Sequence, residues 1–554
     1  MEIIKGFPAT SQTSSQLNLA TIIKHAARNF GKQEIVSRNP DGSMVRYTYS
    51  RAYERVQRLA SSLSSLGVKV GDRIGVLASN SHRNLEIYFG IPGSGAVMVL
   101  MNPRFTPQEL SYVVNHSGIR FIFADEEFLP IVEAAASMCE MVQGFVILTD
   151  RNLRDVQTNL EPVYSYEDYL SDAETRYDWP NLEETSASSA CYTSGTTGQP
   201  KGVYYSHRDV YLQAMMYALN AMITVEDCVL QIVPMFHVLG WGTPYAAIMT
   251  GAKLVLPGRY SLDSLDELIE MLVQEKVTIS AGVPSILRAL LNNLLQKDPI
   301  PDLSGVRFLT GGSEPPLSMM RKFWETTKAE IVHTYGSTEA QAIVTLNKPT
   351  PWLTKELSEE EKWELKKKQG QIVVGLDVRV ADSESKKIPH DGESVGEILV
   401  RGPWVLGRYH DAPGSEEQFT ADGYFRTGDV GSIDPEGYLK LTDRTKDLIK
   451  SGGEWISSVD MENEIVNHPA VMEAAVVGVP DQKWGERPLA LVVLHDESNT
   501  RVDKKEILEH LAKCFAKWQL PDEILFVESV PKTSVGKIDK KLIRAEYEGV
   551  SSDK

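Results

Sequence analysis

The chain has 554 residues, 42% of them hydrophobic and 24% charged, with a formal net charge of −18. This is the composition of a soluble globular protein, with chain for roughly three to four domains' worth of material and a large core. The acidic balance excludes nucleic acid and anionic membrane as default partners, while leaving room for local basic sites.

Val56, Leu59, Leu63 and Leu66 recur at helical spacing, and Gly67 follows as a stop. Residues 73–78 (RIGVLA) read as a short apolar strand, 85–89 as the start of a helix, and 120–124 (RFIFA) as a strand. Residues 128–138 then predict a helix and 145–148 a strand. Such alternation implies a parallel, doubly wound sheet. It resumes beyond residue 202, with a helix at 209–222, strands at 229–233 and 253–256, an amphipathic helix at 262–275 and a strand at 278–281. Strand 307–309 runs into Gly311 and Gly312, and strand 331–333 into Tyr335 and Gly336. Ligands of open α/β sheets bind at the carboxyl ends of the strands, so these loops belong together.

Residues 358–370 predict a charged, solvated helix with a capping box at Ser358 and Glu361 and Gly370 as its stop. From Gly396 onward, short β runs between Gly and Pro turns suggest a smaller β-rich subdomain. After residue 446 come a helix at 459–467, strands at 474–479 and 489–494, a helix at 504–514 and a strand at 524–527. These make an α+β unit of about a hundred residues. The expected division is a large domain at 1–442, a hinge linker at 443–446 and a C-terminal domain at 447–554.

Four cysteines, Cys139, Cys191, Cys228 and Cys514, form no CxxC pair. They indicate neither zinc nor a disulfide framework and fit the reducing cytoplasm. The polar stretch 1–15 predicts no signal peptide, and SSDK is no peroxisomal address. The apolar region 87–101 is interrupted by Pro92, Ser94 and glycines, so it predicts no membrane span.

The chemistry concentrates at residues 192–202, YTSGTTGQPKG. Thr193, Ser194, Thr196 and Thr197 lie among Gly195, Gly198 and Gly202. Such a loop aims hydroxyls and backbone N–H groups at phosphate oxygens, because glycine lets the backbone approach closely. Lys201 adds a point charge suited to phosphate. The bland alternative is a flexible linker, and the spacing is not that of a Walker A loop. Four further stretches follow: GGSEPP at 311–316, YGSTE at 335–339, YFRTGD at 424–429 and PKTSVGK at 531–537. Singly each is weak. A glycine pair is usually a turn, Asp429 suits a turn, and a lone lysine is usually solvated.

In this order the stretches resemble the adenylate-forming superfamily: acyl-CoA synthetases, firefly luciferase and the adenylation domains of peptide synthetases. The resemblance covers residues 17–547. VPMFHVLGWGTPY (233–245) and DRTKDLIKSGGEWISS (443–458) are most similar to the fatty-acyl-CoA synthetases. Ala190 is a small departure, where the family usually has a larger apolar residue.

The resemblance implies a large α/β domain with doubly wound sheets and a β subdomain, plus a mobile α+β C-terminal domain. It implies an ATP-dependent acid–CoA ligase for medium- or long-chain fatty acids, acting through an acyl-adenylate. The alternatives are a ligase for a short, branched, aromatic or sulfur-containing acid, a carrier-loading adenylation enzyme and a luciferase-like oxygenase. By family position Thr193 and Glu339 hold Mg²⁺, which takes few protein ligands and keeps waters. Tyr335 and the wall Gly312, Ser313 and Glu314 bound adenine, and Gly336 belongs to the same nucleotide loop. Asp429 and Arg444 take the ribose, and Thr338 the α-phosphate. His333 and Thr334 line the acyl-adenylate site, with His237 beside the acyl carboxylate and Val238 beside the adenylate. Lys450 and Trp455 approach the adenylate from the C-terminal domain, Lys446 is the hinge, and Gly452 and Gly453 face the pantetheine of coenzyme A. Lys537 is the catalytic ammonium of adenylation. Trp241 occupies the position that gates an acyl tunnel, with a core tryptophan as the competing reading. The fatty-acyl relatives further imply a homodimer through the N-terminal domain.

Overall fold

A computed structural model describes residues 4–193, 199–261, 265–382, 384–444, 447–451, 454–481, 483–495, 502–532 and 538–547. Strands buried on both faces read as near-continuous apolar runs, and four strands of the first sheet, Arg73–Leu77, Val97–Leu100, Ile119–Asp125 and Gly144–Leu148, are such runs. The sheet has seven strands in the order Val163–Ser165, Gly144–Leu148, Ile119–Asp125, Arg73–Leu77, Val97–Leu100, Ala187–Thr193 and Lys201–Ser206. All are parallel except the last, which pairs antiparallel with Ala187–Thr193. The 192–202 stretch is therefore the connection of a hairpin at one edge of this sheet.

The second sheet follows a path of 13 strands. Its parallel block contains Glu34–Arg38, Lys253–Leu256, Cys228–Leu230, Ile279–Ala281, Arg307–Thr310 and Glu330–Tyr335. From Glu330–Tyr335 it continues antiparallel through Thr345–Leu346, Gly370–Ile372, Tyr438–Arg444, Phe425–Ile433, Gly396–Arg401 and Asp377–Ala381. The expected β subdomain is thus hydrogen-bonded to the α/β sheet, and Tyr335, paired with Thr345, sits at the seam.

The region of Pro92 is a helix, His82–Ser94, buried along almost its whole length. Pro92 in its last turn cannot donate to the Tyr88 carbonyl, and the Tyr245 hydroxyl donates to that carbonyl instead, at 3.1 Å. Gly90 allows the close approach of the neighbouring helix Tyr49–Ser65: a Cβ there would stand 2.6 Å from Leu59 Cδ2. Among the described residues no helix is long and apolar enough to cross a membrane.

Two expected elements end differently. The strand at 229–233 stops at Leu230, because the carbonyls that follow are taken by Asn80. The charged helix has its capping box but runs only over Glu359–Lys367. Gly370, at φ +102, opens a strand beyond it. The expected helix at 262–275 is described over Asp266–Gln274.

The C-terminal residues form a sheet of five strands: Glu454–Ile456, Ile449–Ser451, Gly485–Leu494, Val471–Asp481 and Glu523–Phe526. Helix Ser458–Val466 packs on it over a separate core with Ile449, Met461, Val476 and Ile507. The strand Tyr438–Arg444 carries into this unit: Asp443 accepts from the Ser458 amide at 2.7 Å and from its hydroxyl.

Candidate active site

Three strand ends converge. The hairpin strands Ala187–Thr193 and Lys201–Ser206 hold Thr193 opposite Lys201, and the Thr193 hydroxyl donates to the Lys201 carbonyl at 3.5 Å. The second strand also reaches the YGSTE loop. The Tyr205 hydroxyl donates to the Thr338 carbonyl at 2.7 Å.

Glu339 follows. Its Oε1 accepts from the Tyr409 hydroxyl at 2.8 Å, and the Tyr409 ring lies 4.9 Å from the Lys201 ammonium. Burial, with Glu339's charge alongside, pushes the Tyr409 phenol far above its ordinary range, so it stays a donor. Gly336 is required here. A Cβ at this position would stand 1.5 Å from the Ala342 carbonyl oxygen.

A second cluster forms at the seam between the sheets. The Tyr335 hydroxyl donates to Asp429 Oδ2 at 2.6 Å, and Arg444 Nε pairs with Oδ1 at 3.2 Å. Asp429 is buried, and its charge raises the Arg444 guanidinium. The carboxylate is fixed from both sides, with lone pairs left to accept from hydroxyls.

His333 is buried and donates from Nδ1 to the Lys367 carbonyl at 2.9 Å. Burial pushes it down to about 4, so it is neutral. The Thr334 hydroxyl donates to the Thr310 carbonyl at 3.2 Å. Both side chains are thus engaged with the protein's own backbone. Gly312 has φ +88, and Ser313 is exposed.

Glu314 is almost wholly buried. Its Oε1 accepts from Asn463 Nδ2 at 2.8 Å, and Oε2 from Gln369 Nε2 at 3.2 Å. Gln369 Oε1 in turn accepts from the Leu441 amide at 2.7 Å. Glu314 therefore joins the GGSEPP loop to the C-terminal unit and to the strand that leads into it. Desolvation pushes its carboxyl up to about 7, against the opposing charge of Lys367.

His237 precedes an unusual turn. Val238, Leu239 and Trp241 have φ of 34, 53 and 62, values that side-chain-bearing residues rarely hold. The loop is positioned by Asn80. Its Nδ2 donates to the carbonyls of Gln231 (2.6 Å) and Val233 (2.9 Å), and its Oδ1 accepts from the Met235 amide (2.8 Å). Trp241 is 7% exposed and belongs to the large apolar cluster with Leu239 and Tyr245, and its carbonyl accepts from Gln213.

Lys450 pairs with Trp455 across the short strands Ile449–Ser451 and Glu454–Ile456. Ser194, Gly195, Thr196, Thr197, Gly198, Lys446, Gly452, Gly453 and Lys537 lie outside the described residues, as does the Trp455 side chain. Sequence reasoning missed Asn80, Tyr205, Gln369, Tyr409 and Asn463. Gln369 stands at the end of the charged run 358–370, which reads as a solvated face, and the other four stand in no glycine-rich or charged run that would mark them.

The hairpin strands with Thr193 and Lys201, the Glu339 carboxylate held by Tyr409 and the Asp429 carboxylate between Tyr335 and Arg444 are the arrangement expected of an adenylate-forming enzyme. Residues 23–410 match the AMP-binding enzyme family, and 460–537 match the AMP-binding enzyme C-terminal domain. The chain belongs to this family. It is 43% identical to a long-chain-fatty-acid–CoA ligase of Thermus thermophilus, over 99% of this chain and 98% of the relative. It is 38% identical to a medium-chain-fatty-acid–CoA ligase of Ectopseudomonas oleovorans, over 96% of each. The fold is similar to the crystal structure of the anthranilate CoA ligase AuaEII with anthranoyl-AMP. The TM-score is 0.85 at 25% identity, over 97% of this chain and 99% of that one.

Proposed function

We propose that this ATP-dependent acid–CoA ligase activates medium- or long-chain fatty acids. The observation that carries the reading is the convergence of Thr193 and Lys201, on two paired strands, with Thr338 and Glu339, on the turn after a third, and the approach of the apolar turn at 238–242 to Cys191 on the Thr193 strand. Whole-length similarity to long- and medium-chain ligases supports the acid class.

In the first half-reaction the acid's carboxylate attacks the α-phosphorus of ATP, and pyrophosphate leaves. Lys201 and the hydroxyls of the 192–202 loop hold the phosphates, Thr338 the α-phosphate, and Lys537 offsets the negative charge that builds at the reacting centre. Thr193 and Glu339 supply hard oxygens that fit Mg²⁺, which neutralises the polyphosphate when bound. Tyr409 keeps the Glu339 carboxylate aimed. Asp429, fixed by Tyr335 and Arg444, accepts from the ribose hydroxyls. His237 meets the acyl carboxylate, and Trp241 closes the acyl channel.

In the second half-reaction the thiol of coenzyme A attacks the acyl carbon and AMP leaves. The C-terminal domain turns about Lys446 and brings Gly452 and Gly453 to the pantetheine, with Lys450 and Trp455 near the adenylate. The protein works in the cytoplasm as a homodimer, a reading that rests on its four free cysteines and its resemblance to the fatty-acyl branch. Sedimentation gives the assembly. The acid is identified by AMP release across acetate to palmitate, with benzoate and a thioether acid alongside. Turnover peaking at medium or long chains supports the reading, and a peak at benzoate or the thioether acid overturns it.

A further inference from the structure

At the amino ends of the seven-stranded sheet, away from the nucleotide loops, lies a cavity of about 580 Å³ that neither half-reaction uses. That is the size of ordinary small-molecule sites. Val97, Leu182 and Ala187 make part of its wall apolar, and its basic side chains are Arg73, His116, His207 and His410. Arg73 is fixed by donating to two carbonyls, Ser117 at 2.7 Å and Gly71 at 3.0 Å, and forms no ion pair among the described residues. Its charge reaches Tyr204 and His410 across the cavity. The one acid in the lining, Asp411, is 82% exposed at its side chain, lies 3.6 Å from His410 Nε2, and opposes the charge of Arg73 at Tyr204 and His410.

His207 is wholly buried. Its Nδ1 accepts from the Leu19 amide at 3.4 Å, which puts the proton on Nε2, and Nε2, itself closed off from the cavity, has no hydrogen-bond partner among the described residues. A buried donor without an acceptor is costly to leave. The lining thus offers a fixed cation, Arg73, beside an apolar wall.

We propose that this cavity is a second, non-catalytic site for an organic monoanion, a carboxylate on a short apolar tail, and that its occupant is felt at the phosphate end of the catalytic site. Two short routes connect them. His116 Nδ1 accepts from the Tyr192 hydroxyl at 2.9 Å, and Tyr192 precedes Thr193. The His410 ring lies 4.5 Å from that of Tyr204, and its amide donates to the Gly202 carbonyl at 3.0 Å. The preceding residue, Tyr409, holds Glu339 and faces Lys201. Both routes end on groups assigned to metal and phosphate. An occupant that moves either tyrosine changes affinity at the other site, and by linkage the effect is reciprocal.

The test is calorimetry on the full-length enzyme with its catalytic site filled by an unreactive acyl-sulfamoyl-adenosine. The binding of that analogue is measured first, so a failure of the nucleotide reading is seen separately. Hexanoate is then titrated without ATP. It should bind at one equivalent, Arg73→Met should weaken it by about tenfold or more, and Ala187→Phe, which fills the cavity, should abolish binding. Hexylamine should not bind. Hexanoate should also shift the analogue's affinity by about fivefold. Absence of hexanoate binding to the filled enzyme, or binding indifferent to Arg73→Met, overturns the site. Binding that leaves the analogue's affinity unchanged overturns the coupling.

Discussion

Replacing Tyr409 with phenylalanine removes one hydroxyl and keeps the ring beside Lys201. What is lost is a 2.8 Å hydrogen bond to the Glu339 carboxylate from a phenol that is 7% exposed. Bonds to charged groups contribute about 1.5–3 kcal/mol. Glu339 is only half-buried, so water replaces part of the loss. The lower end applies, about 1.5 kcal/mol, a little over tenfold. Because Tyr409 acts by aiming Glu339, the loss falls on the metal and not on the acid. In an ATP–pyrophosphate exchange assay, Tyr409→Phe should need about tenfold more Mg²⁺ for half-maximal rate. The KM for the acid and the melting temperature should stay near wild type. Unchanged Mg²⁺ dependence in a folded variant would remove Tyr409 from the metal end and weaken the placement of Glu339 with it.

Glu314→Gln tests a pH effect. With the folded carboxyl near 7 and an ordinary unfolded value near 4.5, the native state holds the proton longer, so its stability falls as pH rises between those values. The glutamine variant should lack this fall, and denaturant titrations at pH 5 and 7.5 should differ between the two proteins by on the order of 2–3 kcal/mol. Parallel pH profiles would refute it. Trp241→Ala should change chain-length preference and lose well under the roughly 3–5 kcal/mol expected for a core tryptophan. A full loss with an unchanged acid profile makes Trp241 core. Asn80→Ala frees three backbone groups of the 231–235 segment and should lower stability by about 2–4 kcal/mol in urea while raising the KM for the acid. A silent variant would mean that the segment holds its own shape.

The glycine- and threonine-rich loops stand out in the sequence because the phosphate binding proposed for them needs glycines and hydroxyls contiguous in the chain. The sequence therefore carries them as words, as at 192–202 and 335–339. The groups that hold those loops do not stand out. Asn80 reaches Met235 across 155 residues, Tyr409 reaches Glu339 across 70, and Asn463 reaches Glu314 across 149. Nothing local in the sequence requires an asparagine or tyrosine at those places. The edge strand Met44–Thr48 was equally silent, being short and largely exposed. The helix His82–Ser94 was legible only as a start at 85–89, and its extent was hidden for the opposite reason. It is buried all round, so it shows no polar face to set the period. The continuity of the β subdomain with the α/β sheet depends on the two-residue strand Thr345–Leu346, too short for any pattern.

The central claim is that acyl-adenylate formation and thioester formation are separate steps served by different faces of the C-terminal domain. The most direct measurement follows both half-reactions on Lys537→Ala. Adenylate formation should fall by about a hundredfold or more, the scale for removing a preorganised charge partner. Given synthetic acyl-adenylate and coenzyme A, the same variant should make thioester at near the wild-type rate. Equal slowing of the two steps would contradict the account, because one lysine would then serve both.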